Sequence, residues 1–339
     1  MHTTNFARRD NVGFGHAALL GVLIAAAAAL AVPPALAADA PPQSVAAKKK
    51  PSAAKQRTYA APEEAVKDFV AAMKAGDETA LLSILGPEAK PLVSSGDKVA
   101  DREGLERFVQ SFEEANRLEK SGDGKVALVI GKDEWAFPIP IVKESAGWRF
   151  DTQAGSEEIL NRRIGRNEIS ATQAMLAYVD AQRDYYLQNP QKSALLHYAQ
   201  KFMSTPGKRD GLYYPTQAGE PPSPLGPLFA SARAKGYVKA KAGQPTAYYG
   251  YHYRILKAQG PDAPGGAYDY LANGEMIGGF ALVAWPATYG NSGVMTFIVN
   301  HDGVVYEKDL GPETSAAVQK METFNPDKSW KKTADSGKK

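Results

Sequence analysis

Three groups of side chains place reactive residue types close together. The first is His301-Asp302-Gly303, with Glu307 and Asp309 a few residues on. Paired carboxylates suit general acid–base work, and glycosidases need two at a set separation. A His-Asp pair also occurs in metal-dependent phosphohydrolases, on a helix and with further histidines elsewhere. Here the pair lies between β-rich runs, where Asp-Gly signals a hairpin turn. The expectation is a hairpin tip, with Glu307 and Asp309 sharing one face of a strand. Such a face is catalytic or simply solvated. The second group is Arg162, Arg163 and Arg166. On a helix, Arg162 and Arg166 lie one turn apart and repel unless something anionic is near. Either the protein's own acids, such as Glu158 and Glu168, pair with them, or an anionic ligand does. The third is Tyr249, Tyr251 and Tyr253, which share one strand face, while His252 and Arg254 share the other. Tyrosine joins apolar area to a polar tip, which suits glycan or protein binding. The same rings equally pack a core. These eight residues, Tyr249, Tyr251, Tyr253, His252, Arg254, Arg162, Arg163 and Arg166, are the candidate ligand-binding set. No catalytic residue is assigned.

Composition removes several classes. The chain has no cysteine, so disulfides, thiolate metal sites and a cysteine nucleophile are excluded. Beyond residue 37 the histidines are His197, His252 and His301, too scattered to predict a transition-metal site. No Gly-x-Ser-x-Gly elbow, phosphate-binding loop or His-Glu-x-x-His motif occurs, and the glycines and prolines of 260–266 lack phosphate-loop spacing. No cofactor is expected. With 40 Lys+Arg against 37 Asp+Glu over 339 residues, the net charge of +3 is no nucleic-acid footprint.

The amino terminus reads as a cleavable export signal. Arg8 and Arg9 precede the apolar run 17–32, Pro33-Pro34 breaks it, and Ala35-Leu36-Ala37 fits the small-x-small rule. The 16-residue run is shorter than the about 20 residues of a membrane span. Asp10-Asn11 fits a general signal better than a twin-arginine one. Cleavage after Ala37 predicts a periplasmic or secreted protein without a membrane span.

The elements that must position the candidate residues follow. Residues 38–60, rich in Ala, Pro and Lys, read as a disordered linker, and 331–339 as a basic tail. Residues 61–155 read as an α+β domain. Helices start at Pro62-Glu63-Glu64 and Asp77 and run over 101–118; strands follow at 125–130, 135–142 and 147–151. Pro138 and Pro140 mark 135–142 as an edge or bulged strand. This order, with the phrase at 65–85, resembles the helix-plus-curved-sheet domains related to nuclear transport factor 2. A bridging helix is expected at 156–188, with Ser156 as N-cap and Gly165 its weakest point. Residues 190–330 read as a β-rich domain with strands at 249–256, 276–285, 294–300 and 304–308 and short helices at 228–235 and 312–323. A long helix followed by an antiparallel sheet is also the order of pilin-like domains.

Several long strings carry a family resemblance. They are Trp135-Ala136-Phe137-Pro138-Ile139-Pro140, Asn161-Arg162-Arg163-Ile164-Gly165-Arg166-Asn167-Glu168, Ala177-Tyr178-Val179-Asp180-Ala181-Gln182, the run 204–213 and the run 296–311. Through them the chain resembles the exported bacterial "domain of unknown function 2950" family over about 62–330. The resemblance implies export and a shared fold, and no activity. The expected protein is thus a two-part α+β exported chain, a non-enzymatic binding or envelope-associated module with an envelope glycan or protein as partner. The alternatives are a hydrolase acting on an envelope polymer or glycan, and a secretion or pilus-related accessory.

Overall fold

The computed structural model describes residues 55–237 and 247–333. The expected leader, the linker as far as residue 54 and the tail from 334 lie outside the described residues. The described chain belongs to one compact unit that contains two hydrophobic cores.

The first core forms where the sequence places its helices. Pro62 sits in the first turn of α1 (Pro62–Ala75), with Glu63 and Glu64 beside the positive end of the helix dipole. Gly76, at φ 61°, closes it in the left-handed conformation. Asp77 caps α2 (Glu78–Leu85) by accepting from the Ala80 N–H at 3.0 Å. Helical turns at 87–89 and α3 (Lys90–Val93) lead to α4 (Lys98–Glu114). Phe69, Phe108, Phe137 and Phe150 form the aromatic centre, with neighbouring rings 5.0 to 6.5 Å apart.

An antiparallel sheet backs these helices: β1 (Asn116–Gly122), β2 (Lys125–Ile130), β3 (Trp135–Ala136), β4 (Ile141–Glu144) and β5 (Gly147–Phe150). The order is β1-β2-β4-β5, with β3 on β2. Three expectations change here. The helix expected to reach 118 ends at Glu114, because β1 follows; β1 is almost wholly exposed, so it lacks the alternation that marks a strand. The strand expected over 135–142 is split in two around Pro138 and Pro140, which cannot donate to a ladder. The linker expected to reach residue 60 gives way earlier. Gln56 donates to the Ile84 and Phe150 carbonyls, and Tyr59 exchanges two hydrogen bonds of 2.8 Å with Trp148.

Helix α5 (Thr152–Gln188) runs unbroken for 37 residues and packs against both cores. It starts four residues before the expected N-cap Ser156. The Thr152 hydroxyl donates to the Leu85 carbonyl at 2.6 Å and ties this first turn to α2. Gly165 does not interrupt it. A mid-helix glycine costs about 1 kcal/mol, too little to break a helix held by packing on either side. The critical glycine is Gly155: a Cβ there would lie 2.3 Å from the Pro138 carbonyl oxygen.

In the second part, α6 (Gly226–Ala234) precedes β6 (Tyr251–Leu256), β7 (Ala258–Gln259), β8 (Tyr268–Asp269), β9 (Leu271–Ala272) and β10 (Glu275–Met276). Then come β11 (Ala281–Pro286), β12 (Met295–Asn300), β13 (Val305–Asp309), α7 (Thr314–Gln319), β14 (Thr323–Phe324) and β15 (Lys331–Lys332). The main sheet is antiparallel in the order β15-β13-β12-β11-β6. The 302–303 turn joins β12 to β13 as expected, with Gly303 at φ 78°. The strand expected over 276–285 begins only at Ala281, since Gly278 and Gly279 intervene. The tail expected from 331 begins as a strand: Lys331 lies opposite Glu307 and Lys332 opposite Tyr306. Met175, Tyr178 and Val179 of α5 enter the second core, while Leu176 sits at its edge. Helices and antiparallel sheets in this arrangement make the fold α+β.

Candidate functional site

A cavity of about 650 Å³ lies among α1, α4, the first half of α5 and the strands around Trp135. Its size is typical of small-molecule sites. Phe69, Leu81, Leu85, Phe108, Ile130 and Ile139 form a fully apolar floor. Leu92, Val93, Leu105, Trp135 and Ile159 line it and are only half-buried. These walls are apolar surface that the protein's own core leaves uncovered.

The lining also holds five cations, Arg107, Arg162, Arg163, Arg166 and Lys235, against two carboxylates, Asp101 and Glu103. Most of the cations have partners. Arg107 and Lys235 share Glu103 at 3.6 and 3.9 Å, and Lys235 lies 4.7 Å from the centre of the Tyr249 ring. Arg162 pairs with Glu158 at 2.5 Å and sits over the Trp135 ring at 5.6 Å. Arg163 turns to neutral acceptors. It donates to the Pro91 carbonyl at 2.6 Å, the Asn291 side-chain oxygen at 2.7 Å and the Leu92 carbonyl. It thereby satisfies carbonyls that the short helix α3 cannot bond internally.

Arg166 differs. Among the described residues it makes no ion pair, and its neighbours Arg107 and Arg162 carry the same charge. Arg166 is exposed, yet partial desolvation, followed by these two cations, pulls its guanidinium below the usual arginine range. Both effects penalise the positive charge, and an anion at this point would relieve both. The Trp135 indole N–H, on the same wall, is shielded from solvent and has no acceptor among the described residues. Burial raises the Asp101 carboxyl, and the hydrogen bond from the Ser95 N–H, at 3.0 Å, opposes it.

A family model described as Protein of unknown function (DUF2950) matches residues 56–333. The chain belongs to this family. No curated protein and no solved structure matches it.

The candidate residues separate into two places. Arg162, Arg163, Arg166 and Tyr249 line the cavity. Tyr251, Tyr253, His252 and Arg254 do not. Tyr251 is fully buried against Phe297, and its hydroxyl donates to the Met295 carbonyl at 3.0 Å. Tyr253 is half-buried, and its hydroxyl donates to the Tyr248 carbonyl at 3.4 Å. Burial pushes both phenols above their ordinary range. The expected shared face of three tyrosines is not formed. Strand β6 begins at Tyr251, and Tyr249 lies in a turn at φ 50°. His252 packs 5.6 Å from Trp285 across the β6–β11 pair. Arg254 donates to the Val318 and Met321 carbonyls at 2.5 and 2.7 Å, where α7 runs out of internal donors.

The acid–base candidates lie apart from the cavity. His301 and Asp302 sit at the hairpin tip, 3.9 Å apart. Glu307 faces Lys331 across the sheet; burial, and then Glu168, raise its carboxyl. Asp309 accepts from the Gly311 N–H at 2.8 Å at the end of its strand. Among the described residues no group of three His, Asp or Glu side chains is placed to hold a metal ion, and no helix is long and apolar enough to cross a membrane. The sequence reading missed Arg107, Lys235 and Trp135 as site residues. Each looks ordinary in its own segment, and only the fold brings them to Arg166.

Proposed function

We propose that the protein is an exported, non-catalytic binding module whose ligand site is the basic-rimmed cavity of its first core. The observation that carries this reading is Arg166, unpaired and beside like charges, at an apolar cavity that the protein does not fill. Preformed concavity, mostly apolar walls and a few convergent polar groups are the usual make-up of a small-molecule site. The two carboxylates of this lining are engaged within the protein, Asp101 by the Ser95 N–H and Glu103 by Arg107 and Lys235, which favours binding over hydrolysis of a glycan. Tyr251, buried, and Tyr253, half-buried with its hydroxyl engaged, move the site away from a tyrosine-faced glycan surface. Export rests on the leader pattern that ends at Ala37, and it would bring the cavity among envelope molecules.

Two measurements test this. Intact mass of protein recovered from the native envelope should place the amino terminus at Ala38 or within a few residues; a mature species that retains Met1 would overturn export. Native mass spectrometry of the same material should show a small-molecule adduct that Leu105→Trp, which fills the cavity, removes. An adduct retained in Leu105→Trp would overturn the cavity as its site.

A further inference from the structure

Resting on that reading, we infer that the ligand is a single-chain amphiphile: an acyl or alkyl chain that ends in a compact anion, a carboxylate or a phosphate. The chain lies along the apolar floor and walls, and the anion sits at Arg166, with Arg107 and Arg162 beside it.

The division of the lining into two chemistries selects this class. A glycan or a nucleoside would need many hydrogen-bonding side chains along the walls. Three of the few present are already engaged inside the protein. Asn167 donates to the Ser292 carbonyl at 2.8 Å, the Ser170 hydroxyl to the Arg166 carbonyl at 2.9 Å, and the Ser95 hydroxyl accepts from the Asp97 N–H at 3.3 Å. What the walls leave available is apolar: Leu92, Val93, Leu105 and Ile159, half-buried above the phenylalanine floor. Burial of apolar surface favours a chain, and its strength grows with each methylene.

The head group follows from the cations. Arg163 is occupied by carbonyls, Arg162 by Glu158, and Lys235 by Glu103 and Tyr249. Arg166 has no such partner among the described residues, and it stands one helical turn from Arg162 and near Arg107. Guanidinium forks match carboxylate and phosphate oxygens in a bidentate way, which a neutral or cationic head cannot exploit. One small anion at this end relieves the mutual repulsion of three arginines.

The test is a calorimetric binding series on the purified protein, with every probe below its micelle concentration. The arms are fatty carboxylates of increasing length, dodecyl phosphate, dodecyl maltoside, dodecyltrimethylammonium and inorganic phosphate. Affinity should rise about fourfold per added methylene until the cavity is full. Dodecyl maltoside and dodecyltrimethylammonium should bind at least tenfold more weakly than the anions. A preference between carboxylates and dodecyl phosphate assigns the source of the head group. Arg166→Ala should weaken the alkyl anions about tenfold at an unchanged melting temperature, Arg166→Lys should recover part of the loss, and Leu105→Trp should abolish binding. Inorganic phosphate binding as well as dodecyl phosphate, or affinity flat with chain length, would overturn the ligand class while leaving the cavity as the site. Alkyl anions that bind equally well to Leu105→Trp and Arg166→Ala would overturn the cavity itself. Saturable binding of none of the alkyl anions would overturn the ligand class.

Discussion

The Tyr237 hydroxyl donates to the Asp97 carboxylate at 2.8 Å, across 140 residues of chain. Asp97 is almost fully buried and holds four donors. One oxygen accepts from the Val99 and Ala100 N–H groups and caps α4, the helix that carries Arg107. The other accepts from Tyr237 and from the Gly250 N–H at 3.0 Å. One carboxylate therefore fixes both the start of α4 and the segments that present Lys235 and Tyr249 to the cavity. Replacing Asp97 by Ala removes a cap worth about 1 kcal/mol and strands two further buried donors at about 1–3 kcal/mol each. The expected loss is about 3 kcal/mol or more in urea unfolding. Tyr237→Phe, which leaves the cap intact, should cost less than half as much. Equal costs for the two variants would mean that the cap contributes little.

Arg163 and Arg166 lie one turn apart and should behave oppositely. Arg163 is desolvated and bonded to two carbonyls and Asn291, so Arg163→Ala should leave partly exposed acceptors without this donor and destabilise by about 1–2 kcal/mol. Arg166→Ala removes a cation from a repulsive group and should leave thermal stability unchanged or slightly raised. A large drop in melting temperature for Arg166→Ala would show that this side chain is structural.

Two glycines of α5 give opposite signs as well. A Cβ at Gly155 would overlap the Pro138 carbonyl and the Ile139 N–H, both backbone atoms that cannot turn aside. Gly155→Ala should therefore destabilise by at least about 2 kcal/mol through overpacking. Nothing lies near a Cβ at Gly165, so Gly165→Ala should stabilise by about 0.5–1 kcal/mol. Chemical denaturation of the two variants, beside the parent protein, decides both signs.

Acid sensitivity should trace partly to Asp210. Burial alone pushes its carboxyl up, but Lys201 at 2.7 Å and the N–H and hydroxyl of Thr205 outweigh it and hold it at about 2, against 3.8 for the free group. The folded state thus binds this proton less readily than the unfolded state. Its contribution is complete above about pH 4 and is lost as pH falls toward about 2. Asp210→Asn should be less stable than the parent at pH 7, and the gap should close by about pH 2. A gap that stays constant over this range would mean that the carboxylate's charge contributes nothing.

In the second core, Met175 is fully buried and Leu176 lies at the edge. Met175→Ala should cost about 2–5 kcal/mol, and Leu176→Ala about half of that or less. Thermal melts of the pair, read beside each other, locate the buried face of the helix.

Local chemistry determined much of this protein directly. Pro62 with two acids after it, Asp77 as a cap and Asp302-Gly303 as a turn are signals complete within a few residues, and the elements form where those residues stand. The α+β class follows from the same local patterns. What the tertiary structure decided were matters of partnership. The tyrosines at 251 and 253 alternate as a binding face would, yet the second core takes them up: Tyr251 is buried against Phe297 and Tyr253 half-buried at the core's edge. Strand β1 carries no alternation and exists because β2 supplies its hydrogen bonds. Lys331 reads as tail until Glu307 lies opposite it. The arginines at 162, 163 and 166 look equivalent on one helix. Their roles diverge because carbonyls of α3 reach Arg163, Glu158 reaches Arg162, and among the described residues Arg166 makes no ion pair and stands beside Arg107 and Arg162. Helical periodicity places Glu158 one turn from Arg162, but the Pro91 carbonyl that holds Arg163 lies 72 residues away and Arg107 comes to Arg166 from another helix, and no local spacing encodes either.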